Sequence, residues 1–144
     1  MTSVRCLIPI MLITIAAGCG GDVRRASIHG TVSVNGKPLA DGTIAFVPSG
    51  DNKGPAAGAT IVNGSYKVLQ ENGPFVGTNQ VKIISFKPSG RMIPDIRNPG
   101  GPMIEEVSQF IPARYNDQST LERNVTKGKN EFHFTLNTEP DETR

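Results

Sequence analysis

Residues 27–47 have the sequence SIHGTVSVNGKPLADGTIAFV, and this stretch decides the fold class. From Ile28 to Val34 the even positions are apolar or glycine, whereas the odd positions from 27 to 33 are polar. A period of two is typical of a strand with one buried face. The Asn35-Gly36 pair that follows favours a tight turn, because both residue types tolerate positive φ angles. We therefore predict a hairpin with an extended connection, in which 43–47 is the return strand.

The same alternation recurs along the chain. An Asn63-Gly64 pair between two apolar segments predicts the firmest hairpin, and 130–136 carries three large apolar residues on one face. The predicted strands cover residues 27–34, 43–47, 57–62, 65–69, 78–86, 120–126 and 130–136. No stretch has a helical period over a useful length. This pattern predicts an all-β domain, an antiparallel sandwich of about seven strands.

One segment, residues 87–110, does not fit the pattern, because it contains Pro88, Pro94, Pro99, Pro102 and a Gly-Gly pair. A loop of that length is usually functional or disordered. The candidate partner-contact residues within it are Arg91, Met92, Ile93, Ile96 and Arg97. Alternatively, the loop folds back over an open end of the sandwich and buries its aliphatic residues against Phe110 and Ile111.

The N-terminus has the features of an export signal. Arg5 precedes an apolar run over residues 6–17 that is too short for a transmembrane helix. The sequence Ala16-Ala17-Gly18-Cys19 resembles the bacterial lipobox. That resemblance implies a lipoprotein signal peptide over 1–18 and a diacylglyceryl group on Cys19. The alternative is cleavage near Ala17, which would leave Cys19 as a free thiol.

Length and charge limit the remaining possibilities. The chain has 144 residues and a net charge of +2, which is enough for one small domain and indicates no nucleic-acid partner. The basic residues are scattered along the sequence, so no patch for anionic lipid is predicted either. Residues 19–26 are predicted to be the lipidated cysteine and a flexible tether, 27–137 the domain and 138–144 a polar tail. After cleavage the chain retains one cysteine and can form no internal disulfide.

Four motifs carry a family resemblance: Gly30-Thr31-Val32, Asn35 to Leu39, Gly42 to Phe46, and Asn63 to Tyr66. Their order and spacing resemble those of the carboxypeptidase regulatory-like domain, a transthyretin-like or immunoglobulin-like sandwich. Where the family has an aromatic residue in the strand from Gly77 to Ile83, this chain has Asn79 or Gln80. The segment from Ile111 to Asn116 resembles a subgroup of small single-domain bacterial lipoproteins. The resemblance implies an accessory or binding role.

Catalytic signatures are not apparent. Intradiol dioxygenases, on a related sandwich, bind iron through two His and two Tyr, but here His29 and His133 alternate onto the solvent face and Tyr66 toward the core. The Tyr-Arg-Gly-Ser motif of hydroxyisourate hydrolases and the nucleophile elbow are missing. We predict no catalytic residue, no metal site and no cofactor.

The expected function is therefore a non-catalytic accessory or docking role in the cell envelope. The membrane is expected as a partner through the lipid anchor, and an envelope protein through the 87–110 segment. Gly20, where an Asp would retain many lipoproteins at the inner membrane, favours the outer membrane. Binding of a cell-wall glycan is the alternative, with Phe75, Phe86, Phe110 and Tyr115 as the aromatic residues near loops. An enzyme is the third reading.

Overall fold

The computed structural model describes residues 24–139, and these form ten strands and two short 3-10 turns. The strands are β1 (Ser27–Val34), β2 (Lys37–Pro38), β3 (Asp41–Pro48), β4 (Ala57–Val62), β5 (Ser65–Val68), β6 (Gly77–Ile84), β7 (Phe86–Pro94), β8 (Met103–Gln109), β9 (Glu122–Val125) and β10 (Lys129–Leu136). The 3-10 turns are Gln70–Asn72 and Ala113–Tyr115. The predicted all-β class is confirmed.

Eight strands form one curled sheet in the order β10-β1-β5-β4-β3-β6-β9, with β2 paired to β1. The apolar residues of these strands form a single cluster, in which Ile28, Ile44, Phe46 and Ile83 are fully buried. All seven predicted strands are present. Their buried positions alternate as the period-two pattern indicates, so burial of one face explains why these segments are strands.

One pairing differs from the predicted antiparallel arrangement. The first and last strands, β1 and β10, pair in parallel with Gly30 opposite Phe132. Gly30 allows this approach, because a Cβ at that position would lie 1.7 Å from the Phe132 carbonyl oxygen. The same oxygen accepts a hydrogen bond of 2.8 Å from the Tyr66 hydroxyl. Burial raises the pKa of Tyr66 well above its ordinary value, so the phenol remains a proton donor.

Both predicted Asn-Gly turns are present. Asn35 and Gly36 have φ angles of 50° and 77°, and Asn63 and Gly64 have 48° and 77°. Two successive positive φ angles match the twist of the adjoining strands. The Gly64 and Asn63 amides donate to the carbonyls of Leu39 and Ala40, which fixes the connection between β2 and β3 against the second turn.

The domain extends beyond both predicted boundaries. Ala26 is fully buried, and Arg25 forms an isolated antiparallel bridge with Phe75, so residues 24–26 are part of the fold and not of a flexible tether. At the other end, Thr138 exchanges two hydrogen bonds with Asn35. Cys19 and the signal peptide over 1–18 lie outside the described residues. Within the described part, no helix has the length and apolar character needed to span a membrane.

The prediction of a loop over residues 87–110 is wrong. Strands β7 and β8 form a separate antiparallel hairpin within this segment. The prolines are compatible with it because Pro88 and Pro94 lie in a strand with only one neighbour, where a missing N–H is tolerated. The alternative in which the segment folds back is also wrong for most of its aliphatic residues, because Met92 and Ile96 remain 52% and 89% exposed.

The approach of β1 to β10 gives the first testable prediction. Gly30→Ala should lower the free energy of unfolding by about 3 kcal/mol, because the new methyl group meets backbone and not a movable side chain. Urea denaturation followed by circular dichroism measures this loss. The matched control is Gly101→Ala, whose Cβ would meet the movable side-chain nitrogen of Asn98 at 2.3 Å. Equal losses in the two variants would contradict the prediction.

Candidate interaction surface

The β7–β8 hairpin is attached to the sandwich at its base. Its first strand begins two residues after the end of β6 at Ile84, and buried Ser85 lies between them. The Ser85 hydroxyl donates to the Asp41 carbonyl at 2.6 Å, and its amide donates to the Gln109 side chain at 3.0 Å. The Phe110 amide donates back to the Ser85 carbonyl at 3.2 Å. The base is therefore fixed by buried polar contacts.

The register of the hairpin separates its side chains into two faces. Phe86 pairs with Gln109, Pro88 with Val107, and Met92 with Glu105, and side chains alternate between faces along each strand. One face, which we call the apolar face, carries Phe86, Pro88, Met92, Pro94, Met103 and Val107, together with the polar residues Glu105 and Gln109. The opposite face carries charged and polar groups together with Ile93 and Ile104. The hairpin is thus amphipathic.

The apolar face is open to solvent. Phe86 is 54% exposed, Met103 50% and Val107 62%, and no residue of either strand is buried. Monomeric proteins rarely leave contiguous apolar surface uncovered without a binding role. The exposed face is therefore the strongest candidate for an interaction surface in the described residues.

The opposite face is organised by one ion pair. A shift in register between Pro88 and Met92 places Ser89, Gly90 and Arg91 in a bulge. The Arg91 guanidinium and the Ser89 hydroxyl each donate to a different oxygen of the Glu106 carboxylate. The hydrogen bond from Arg91 holds the pKa of Glu106 below its ordinary value, and the bond from Ser89 acts in the same direction. These contacts hold the side chains of Ser89, Arg91 and Glu106 together on the face opposite the apolar face.

The five predicted contact residues do not share one surface. Met92 lies on the apolar face, whereas Ile93 is half-buried on the opposite face beside Ile104. Arg91 is paired with Glu106. Ile96 and Arg97 lie in the connection between the strands, where the Arg97 amide donates to the Asp95 carboxylate at 2.9 Å.

Sequence reasoning missed Phe86, Met103 and Val107 as members of the apolar face. Phe86 was predicted to end the preceding strand, so it was not grouped with the hairpin. The sequence Met-Ile-Glu-Glu-Val-Ser-Gln of residues 103–109 does not alternate apolar with polar residues, so a period of two gave no signal for β8.

A shallow cavity of about 480 Å³ lies at the base of the hairpin. Its walls combine the apolar surfaces of Pro38 and Phe110 with the charged groups of Lys37, Asp41 and Lys87. The Lys87 ammonium lies 3.8 Å from the centre of the Phe110 ring, a favourable cation–π distance. Because the wall carries both positive and negative side chains, it does not select a ligand by the sign of its charge.

The two histidines lie closer together than their separation in sequence indicates. The parallel pairing of β1 with β10 places Nε2 of His29 and Nε2 of His133 at 3.7 Å and 3.3 Å from the same Glu131 oxygen. Tyr66 faces the core, as predicted, so it is on the other side of the sheet from this group. Among residues 24–139, no three His, Cys, Asp or Glu side chains are arranged to hold a metal ion.

The aromatic residues considered for glycan binding do not form a platform. Phe75 is buried, with the guanidinium carbons of Arg24 and Arg25 at 4.7 Å and 5.0 Å from its ring centre. Phe110 and Tyr115 are half-buried, so Phe86 is the one freely exposed aromatic side chain of the described part. A flat sugar-binding surface needs several aromatic rings side by side, so this geometry favours a different ligand for Phe86.

If the apolar face is a surface and not part of the core, its residues should contribute little to stability. We expect Val107→Ser to change the free energy of unfolding by less than about 0.5 kcal/mol. The matched control, Val81→Ser, removes a fully buried valine and should cost about 3 kcal/mol. Urea denaturation of both variants distinguishes the two roles. A large loss for Val107→Ser would assign the apolar face to the core.

Comparison with other proteins gives no further evidence about the family or the function of this chain. No protein-family model matches the chain, and neither a curated protein nor a solved structure matches it significantly. The resemblance to the carboxypeptidase regulatory-like domain therefore stays a prediction based on its turn and strand motifs. The all-β fold and the exposed hairpin are the observations on which a function can be argued.

Proposed function

We propose that this protein is a lipid-anchored docking module of the cell envelope that acts by binding and not by catalysis. Its apolar face would bind an apolar surface of another envelope protein. The observation that carries this proposal is the amphipathic β7–β8 hairpin, whose apolar side chains are exposed although its base is firmly fixed.

The position of the hairpin supports a protein partner. Strand β1 begins at Ser27, and the hairpin leaves from the opposite end of the sandwich, beside Asp41 and Ser85. Eight strand residues separate the two ends, which corresponds to about 26 Å. A chain anchored through Cys19 would therefore present the apolar face away from its own membrane.

The charges of the hairpin support an apolar mode of recognition. Between Phe86 and Gln109 three basic residues are balanced by three acidic ones. Such a segment has no net field with which to attract a nucleic acid or an acidic glycan. Large, exposed side chains such as Phe86 and Met92 instead match the anchors that fill pockets at protein interfaces.

The first experiment maps the contact in intact cells. A photo-crosslinking amino acid at position 107 or 92, on the apolar face, should capture one and the same protein. The same residue at position 108, exposed on the opposite face, should capture far less of it. Crosslinks to lipid, to a second copy of this chain, or equally from all three positions would contradict the proposal.

The second experiment tests the identified partner in purified form. Binding should saturate, and Met92→Ser with Val107→Ser should weaken it at least about tenfold, because truncating a central apolar anchor costs more than about 1 kcal/mol. Val62→Ser is the matched control, since Val62 is 58% exposed but lies outside the hairpin. Equal affinity of both variants would reject the apolar face. Retention of the protein on purified cell-wall glycan, lost on Phe86→Ser, would favour glycan binding instead.

Lipidation has a separate test. The intact mass of the protein recovered from membranes should equal that of residues 19–144 with attached acyl chains. Cys19→Ala should release the protein into the soluble fraction, because two or three acyl chains provide the stable part of such an anchor. A mass that corresponds to cleavage near Ala17 without acyl chains would contradict lipidation.

A further inference from the structure

The fold gathers basic residues that are scattered along the sequence. We call the end of the sandwich at which β1 begins the proximal end. It consists of residues 24–26, the loops 49–56 and 69–76, and the turn 126–129. Strands β3 and β5 run in the opposite direction to β1. Both therefore end where β1 begins, and the loops that follow them meet there.

The proximal end is positively charged. Its basic residues are Arg24, Arg25, Lys53, Lys127 and Lys129, and its acidic residues are Asp51 and Glu71. The Glu122 carboxylate also lies at this end, where it accepts a hydrogen bond of 3.0 Å from the Ser49 hydroxyl, so five basic residues face three acidic ones. The opposite end carries Lys37, Lys87 and Arg114 against Asp41 and Glu139, so its excess of basic residues is smaller.

The basic groups are presented outward. The side chains of Lys53, Lys127 and Lys129 are exposed. Arg25 donates to the Gly73 carbonyl at 2.7 Å while its guanidinium lies over Phe75, so it is held in place at this end. Leu69, 51% exposed in the adjoining loop, adds an apolar side chain to the same end.

The distance to the predicted anchor is short. Four residues, Gly20 to Val23, separate Cys19 from Arg24. Five fully extended steps of the chain span at most about 17 Å. If Cys19 carries acyl chains, this maximum span lets the proximal end approach the lipid headgroups to within one Debye length, about 8 Å, where charges attract with little screening.

We propose that the proximal end rests against an anionic phospholipid surface, with Lys53, Lys127 and Lys129 facing the headgroups. This inference rests on the proposed anchoring at Cys19 and adds a second, electrostatic contact to it. One acyl chain binds a membrane marginally, and a basic patch beside acyl chains is a recognised second signal. The contact would set the orientation of the sandwich and point the apolar face outward.

Lysine footprinting tests the contact on the protein as recovered from cells. The protein is mixed with vesicles of phosphatidylcholine containing 30% phosphatidylglycerol (about the charge of an anionic leaflet) or with phosphatidylcholine alone. A membrane-impermeant amine reagent then labels the lysines. On anionic vesicles labelling of Lys53, Lys127 and Lys129 should slow about fivefold, which is equivalent to about 1 kcal/mol. Lys37 and Lys82, away from the proximal end, should react at unchanged rates and serve as internal controls.

Charge-reversal variants test whether the protection depends on the basic residues of the proximal end. Lys53→Glu with Lys127→Glu should abolish the remaining protection of Lys129, whereas the same charge change at Lys37 and Lys82 should not. Protection that is equal at both ends, or independent of lipid charge, would overturn the proposal. So would protection by soluble glycerol 3-phosphate without vesicles, which would indicate an anion site instead. The intact mass of the same sample reports lipidation separately, so failure of the anchor and failure of the basic contact are distinguishable.

Discussion

The parallel pairing of β1 with β10 is the contact on which the rest of the structure depends. It joins segments about 100 residues apart in sequence, and it requires Gly30 because the Phe132 carbonyl occupies the space of a side chain. The Tyr66 hydroxyl completes this contact from β5. Since both strands run in the same direction, β1 begins and β10 ends at opposite ends of the sandwich. The chain therefore enters at one end, and its last described residues lie at the other, near the base of the hairpin.

Local signals in the sequence predicted much of the sandwich. The alternation in β1, β3, β6 and β10 reports burial of one face, and the two Asn-Gly pairs report positive φ angles; both are properties of neighbouring residues. The pairing of β1 with β10 is not local, and the short strands separated by turn signals predicted an antiparallel arrangement throughout. The approach of His29 and His133 to one carboxylate follows from the same long-range pairing, so it could not be read from their positions in the chain.

The hairpin was missed for a different reason. Pro88, Pro94 and the bulge at Ser89 to Arg91 interrupt the alternation of β7, and prolines are usually evidence against a strand. They are acceptable here because β7 has a single neighbour. Five contact residues were named in this segment, but only pairing with β8 determines which of them share a face. Asn79 illustrates the same limit in the core: it is fully buried although it is polar, and its amide nitrogen donates to the carbonyls of Phe75 and Gly77. The loop that carries Phe75 is thus fixed by a polar side chain.

The prolines of β7 have a consequence for self-assembly. A two-stranded sheet has two open edges, and an apolar, exposed edge strand is a template on which further copies can add by backbone hydrogen bonds. Pro88 and Pro94 have no N–H to donate, and the bulge bends the strand between them, so a continuous row of backbone bonds cannot form along β7. Addition of a strand along β7 is therefore blocked. Strand β8 has no proline between Met103 and Gln109, so its outer edge is the one on which a further strand could pair.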